Sequence, residues 1–211
     1  MSSDTQGSMA DHLVDREAAQ LRVTFKQKHE KLIAATKLFK DTIERLRTQG
    51  YTTHATLWNA CLYLNMAAHD LSILVEDLAL ERDYWRRRFN ARHLALLAYE
   101  TTEDLQTLLG KSFRDALNKL GVLSQFEQNL RDARKPLDGF WRQHQAALKQ
   151  VRTTAAAHRD QDGMAVLNTI ENINIDDSLG IGLSLGKILD DLGAVLQTIV
   201  VQTSKIAPPE L

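Results

Sequence analysis

The chain has 211 residues, 44% of them hydrophobic and 25% charged, enough for the core of one helical domain or of a domain with a helical arm. A formal net charge of −1 excludes a global field that would draw the molecule onto nucleic acid or an acidic membrane, so any anion site must be a local patch. The single cysteine, Cys61, excludes an internal disulfide and a thiolate metal cluster, and ten glycines are too few for the many turns of an all-β protein.

In chain order, residues 1–12 read as a disordered tail, and Met1 to Met9 lack the apolar core of a signal peptide. Residues 13–50 read as an N-terminal helix or arm. Leu21, Phe25, Leu32, Ala35, Phe39 and Leu46 fall on one helical stripe, and Gly50 supplies a stop. Residues 51–205 read as the helical bundle itself. A second helix starts near Thr53 and carries Leu57, Cys61, Leu64, Ala68, Leu71, Val75 and Leu78 at alternating steps of four and three. The polar run Glu81 to Asn90 either continues it or breaks it. A third helix carries Leu94, Leu97, Leu105 and Leu108 and ends at Gly110.

The spacing predicts a fourth helix from Phe113 to Leu130, running through Gly121, and a break at Lys135-Pro136, because the residue before proline disfavours helix. A fifth helix is predicted from Leu137 to Ala157, then a turn at Asp162-Gly163 and a short amphipathic piece from Met164 to Ile173. Asp176, Asp177 and Ser178 are the N-cap candidates for a last helix reaching Ser204, and 206–211 form a C-terminal tail. That last helix holds the most apolar stretch, but Lys187, Asp190 and Asp191 within it argue against a membrane span. The expected fold is an all-α antiparallel bundle of about five to seven helices. It is expected to be soluble and cytoplasmic, without a membrane partner.

Several motif fragments lack their context. Gly110-Lys111-Ser112 imitates the end of a phosphate-binding loop, but Leu105 stands where the partner glycine belongs. Gly180, Gly182 and Gly186 have neither dinucleotide-loop spacing nor a βαβ unit around them. No histidine follows an acidic residue at the spacing a bundle di-iron site uses, so neither metal nor cofactor is expected. His69, beside a packed stripe, reads as a hydrogen-bonded boundary residue.

Two basic clusters stand out. Arg82 to His93 holds five arginines against one aspartate, with Tyr84, Trp85 and Phe89 interleaved. Arginine with aromatic rings can grip phosphates and stack on unpaired bases, and Arg88 is the candidate phosphate contact here. Arg131 to Arg159 carries a net +5 in a chain that is otherwise acidic. Charge segregated in this way suits a local anion site.

The second cluster contains Leu148-Lys149-Gln150-Val151-Arg152-Thr153-Thr154-Ala155-Ala156-Ala157-His158-Arg159-Asp160. This stretch resembles the signature of the HEPN superfamily, an Arg followed after four to six residues by a His, ending in Ala-His-Arg-Asp as in abortive-infection-like members. The helix Ala91 to Glu100 also resembles such proteins, and the likeness covers residues 55–203. Arg22 with His29, Arg47 with His54, and Arg88 with His93 fit the same loose spacing. Arg152 and His158 are set apart by their position at a late helix end among small residues.

The resemblance implies a metal-independent endoribonuclease acting on single-stranded RNA, as a toxin or in phage defence, with an antitoxin or other protein as partner. Arg152 and His158 are then the catalytic pair. Arg159, Lys149 and Arg142 join Arg88 as phosphate contacts, and Thr153 and Asp160 orient the site. One motif supplies one histidine while the reaction needs two proton transfers, so a homodimer or higher oligomer is implied. Catalytic members usually have Asn, Asp or His where this chain has Thr153. A hydroxyl cannot copy the geometry of an amide or carboxylate, so the alternative is a HEPN-like binding module without catalysis. A plain helical interaction module that oligomerises through residues 13–49 is a third reading. On a straight helix Arg152 and His158, six apart, point about 120° away from each other, so the reading requires a bent or ended helix between them, or a partner across a two-fold axis.

Overall fold

The computed structural model describes residues 4–156 and 162–206. Seven α-helices form an all-α bundle: α1 (Asp4–Thr48), α2 (Thr52–Leu80), α3 (Tyr84–Leu108), α4 (Lys111–Lys119), α5 (Leu123–Val151), α6 (Gly163–Glu171) and α7 (Ile175–Thr203). A π-helical turn, Arg152–Ala156, continues α5. Among the described residues there is no strand, and no helix is long and apolar enough to cross a membrane.

Helix α2 is the centre. Its stripe of Leu57, Leu64, Leu71, Val75 and Leu78 is buried, and α1, α3, α4 and α7 all pack on it. Helices α3, α5 and α7 pack on one another behind it. Leu94 and Leu105 of α3, Leu137 and Phe140 of α5, and Leu185, Leu189, Leu192 and Leu196 of α7 complete this core. Each such side chain contributes about 1.5–3 kcal/mol when fully buried. Helix α1 leans on α2 through Phe25, Leu32, Phe39 and the buried Ile43. Asn65 of α2 reinforces the contact by donating to the Leu32 carbonyl at 2.9 Å and to the Thr36 hydroxyl at 2.7 Å.

Local chemistry sets the ends. Gly50 takes φ +80° and turns α1 back into α2. The run after Leu80 breaks the helix, and Asp83 starts α3 by accepting the Arg86 N–H at 2.8 Å. Asp162 caps α6 by accepting from the backbone N–H groups of Met164 and Ala165.

Four boundaries differ from the sequence expectation. Helix α1 begins at Asp4, inside the stretch read as a tail, because nothing between Asp4 and Leu13 is a proline that would stop it. The break expected at Pro136 lies instead at Gly121, whose φ of +71° ends α4, with the Val122 N–H donating back to the Leu117 carbonyl at 3.0 Å. Helix α5 runs through Pro136. The proline sits on the exposed side, so the carbonyl it leaves without a helical donor faces solvent, while Leu130, Leu137 and Phe140 hold both halves on the core. The last helix is capped by Asn174, which accepts from the N–H groups of Asp176 and Asp177; those two acids occupy the first turn, where the helix dipole favours them.

Candidate nucleic-acid interface

Apart from Arg88 of α3, the candidate residues that the structure describes lie on α5 and the π-turn that continues it. Among the exposed residues of α5 are Arg142 and Lys149, seven apart and so on one face, and Arg152 follows Lys149 by three. Three cations therefore line one strip. Arg142 holds its guanidinium along its own helix, Nε donating to the Asp138 carbonyl at 3.3 Å.

Arg152 opens the π-turn and is half-buried. Its guanidinium lies over the Tyr99 ring of α3, 5.1 Å from the centroid, and its Nε donates to Glu100 Oε1 at 3.4 Å. Tyr99 packs in turn on Trp141 of α5, with ring centroids 5.0 Å apart. The stacked ring holds the planar cation in one orientation. The Glu100 contact joins two partly exposed groups and is worth at most about 1 kcal/mol, so a phosphate could displace it.

The π-turn alters the geometry of the motif. Its i→i+5 winding is wider than that of α5 and ends at Ala156, before the position of His158. His158, Arg159 and Asp160 lie outside the described residues. The Thr153 hydroxyl donates to the Lys149 carbonyl at 2.9 Å and to the Gln150 carbonyl at 3.2 Å, so it is committed to its own helix and not to Arg152.

Arg88 is not a surface phosphate contact. It is buried, and its Nη1 donates to the carbonyls of Ile170 at 2.6 Å and Ile173 at 3.0 Å. It fastens the C-terminal end of α6 to α3, where a positive charge also meets the negative end of the helix dipole. The rest of its cluster is split. Arg92 is buried, whereas Tyr84, Trp85 and Phe89 are exposed. Trp85, Phe89 and Arg92 form one side of a cleft of about 420 Å³ against Val166, Leu167 and Ile170.

The other Arg-to-His matches are accounted for structurally. The ring of His29 lies 3.1 Å from the Ser72 hydroxyl and 3.6 Å from Glu76, with His69 packed edge-on at 5.3 Å. His54 is buried with Nε2 3.2 Å from the Thr203 carbonyl, and His93 Nδ1 lies 2.8 Å from the Phe89 carbonyl of its own helix. Among the described residues, no cluster of three or more His, Cys, Asp or Glu could hold a metal.

Sequence reading did not single out the Tyr99 and Trp141 rings or the Glu100 carboxylate as neighbours of Arg152. Tyr99 and Glu100 precede Arg152 by more than fifty positions, and only the packing of α3 on α5 and its π-turn brings them to it. No family model, no curated protein and no solved structure matches the chain.

Proposed function

We propose that this protein is a HEPN-like, metal-independent endoribonuclease acting on single-stranded RNA, with the toxin or defence role such enzymes have. The observation that carries the reading is Arg152: a guanidinium held over Tyr99, beside exposed Lys149, at a π-turn that opens the stretch ending in Ala-His-Arg-Asp. A fixed planar cation suits a phosphodiester, which it can grip through two parallel hydrogen bonds. Lys149 and Arg142 extend the contact along the strand. His158, duplicated by a second subunit, supplies the two proton transfers. One imidazole takes the proton from the ribose 2′-hydroxyl as its oxygen attacks phosphorus. The other protonates the departing 5′-oxygen, leaving a 2′,3′-cyclic phosphate.

Purified protein should cut single-stranded RNA in the presence of chelator and leave cyclic phosphate ends. His158→Ala and Arg152→Ala should each reduce cutting by about a hundredfold or more. Cutting that chelator abolishes, or that survives His158→Ala, rules the reading out.

One observation favours a second reading, binding without cleavage. The Thr153 hydroxyl gives its one hydrogen to its own helix, so it offers only an acceptor oxygen at the position where catalytic members carry an amide, carboxylate or imidazole. This reading predicts retention of labelled RNA with no cutting, weakened by Arg152→Ala.

A further inference from the structure

Along α2, His69, Ser72 and Glu76 follow one another at steps of three and four and so share one face, on which His29 of α1 lies. Hydroxyls inside helices ordinarily turn back on their own backbone. Those of Thr36, Thr102 and Thr203 each donate to the carbonyl four residues earlier. The Ser72 hydroxyl instead reaches across to α1, where its Oγ lies 3.1 Å from His29 Nε2. The other ring nitrogen, Nδ1, lies 3.6 Å from Glu76 Oε2. Phe25 and His69 pack on the imidazole, with ring centroids 6.3 and 5.3 Å away, and hold its plane.

Hydroxyl, imidazole and carboxylate therefore stand in the order that activates a serine, with Nε2 toward the nucleophile and Nδ1 toward the acid. The carboxylate contact is longer than a hydrogen bond, as such contacts often are before substrate is bound. Ser72 also lines a cavity of about 300 Å³ between α1, α2 and α7. Phe25, Leu71, Val75 and Leu183 give this cavity an apolar part, and Lys28 and Lys187 bring positive charge to it. A space at the small end of ligand sites, apolar on one part and cationic on another, suits a short acyl chain ending in a carbonyl.

We propose that Ser72, His29 and Glu76 form a nucleophilic site that hydrolyses short-chain carboxylic esters. His29 Nε2 takes the hydroxyl proton as Ser72 Oγ bonds to the carbonyl carbon, and the Glu76 carboxylate stabilises the imidazolium that results. Lys28 supplies positive charge for the oxyanion. Its ion pair with Asp190, at 3.5 Å between partly exposed groups, is worth at most about 1 kcal/mol and yields to a stronger partner. The bond from carbon to the alcohol oxygen then breaks as His29 returns its proton to that oxygen, leaving an acyl group on Ser72. Water attacks the acyl carbon in the same way. His29 takes its proton and returns it to Ser72 Oγ, and the carboxylic acid departs. None of the residues of the RNA reading takes part, so this proposal stands or falls independently of it.

A fluorophosphonate probe on the full native chain should form one adduct, mapped by peptide mass spectrometry to Ser72. With p-nitrophenyl butyrate the protein should release a burst of nitrophenolate matching its own concentration, the signature of an acyl-enzyme. Ser72→Ala should abolish both adduct and burst, and His29→Gln should slow hydrolysis by about a hundredfold or more. Glu76→Gln should lower kcat by about tenfold or more with KM unchanged, because a positioning carboxylate acts in the transition state. A native chain that carries no adduct at Ser72 overturns the proposal without recourse to any variant. Hydrolysis that persists in Ser72→Ala overturns it as well.

Discussion

Arg88 shows how much the role of one side chain depends on where its partners arrive. In sequence it belongs to an arginine–aromatic run suited to phosphate. In the fold its guanidinium is the fastener of α6, satisfying the carbonyls of Ile170 and Ile173. The Ile170 carbonyl keeps the Ile173 N–H at 3.3 Å, so removing the guanidinium strands chiefly the half-buried Ile173 carbonyl, at about 1–3 kcal/mol for such a group. Arg88→Ala should therefore cost about 2 kcal/mol in urea unfolding and open the chain near Gly163 to protease, and Arg88→Lys should recover only part of this. Cys61 makes a second residue-scale statement. Burial, against a smaller opposing effect of its backbone hydrogen bond, pushes its thiol up to about 12. The thiol is thus protonated and inert in the native protein at pH 8, and a disulfide reagent should label it only on unfolding. The unfolded thiol ionises near its ordinary value of about 8.5 while the folded one keeps its proton. The stability this group contributes is full below that pH and is lost as the pH climbs toward 12.

At the scale of the element, the periodic stripes of α2, α3 and α7 were readable because buried residues recur every three or four positions whatever surrounds them. The division between α4 and α5 was not. Gly121 and Pro136 both carry local signals, and spacing cannot rank them. The left-handed φ of Gly121 ends one helix, while exposure lets Pro136 sit inside another. Pro136→Ala should accordingly raise stability by about 2 kcal/mol, the gain in helix propensity less the lost stiffness of the unfolded chain. Gly121→Ala should lower it by about 1–2 kcal/mol by forcing a Cβ into left-handed backbone. A calorimetric melt of each would check the pair; equal effects would mean the boundary is misplaced. The candidate site was legible only as a list of cations. That Arg152 stacks on Tyr99, and that Thr153 is turned back onto α5, follow from helix packing and π-winding, which have no signature in the residue order.

For the whole molecule, a net charge of −1 means that any RNA affinity comes from the few cations of one strip and not from a diffuse field. Arg142, Lys149 and Arg152 would neutralise about three phosphates, so the logarithm of RNA affinity should fall against that of salt with a slope of about −2 per site. A slope steeper than about −5 would point to contacts well beyond this strip.

The central position of α2 has a consequence for how the molecule breathes. With α1, α3, α4 and α7 packed on it, its buried face from Leu57 to Leu78 meets solvent only when the bundle opens. In deuterium exchange the amides of Leu57 to Leu78 should be the slowest, governed by global unfolding, and those of Arg16 to Thr24, on the exposed part of α1, should exchange sooner through local fraying.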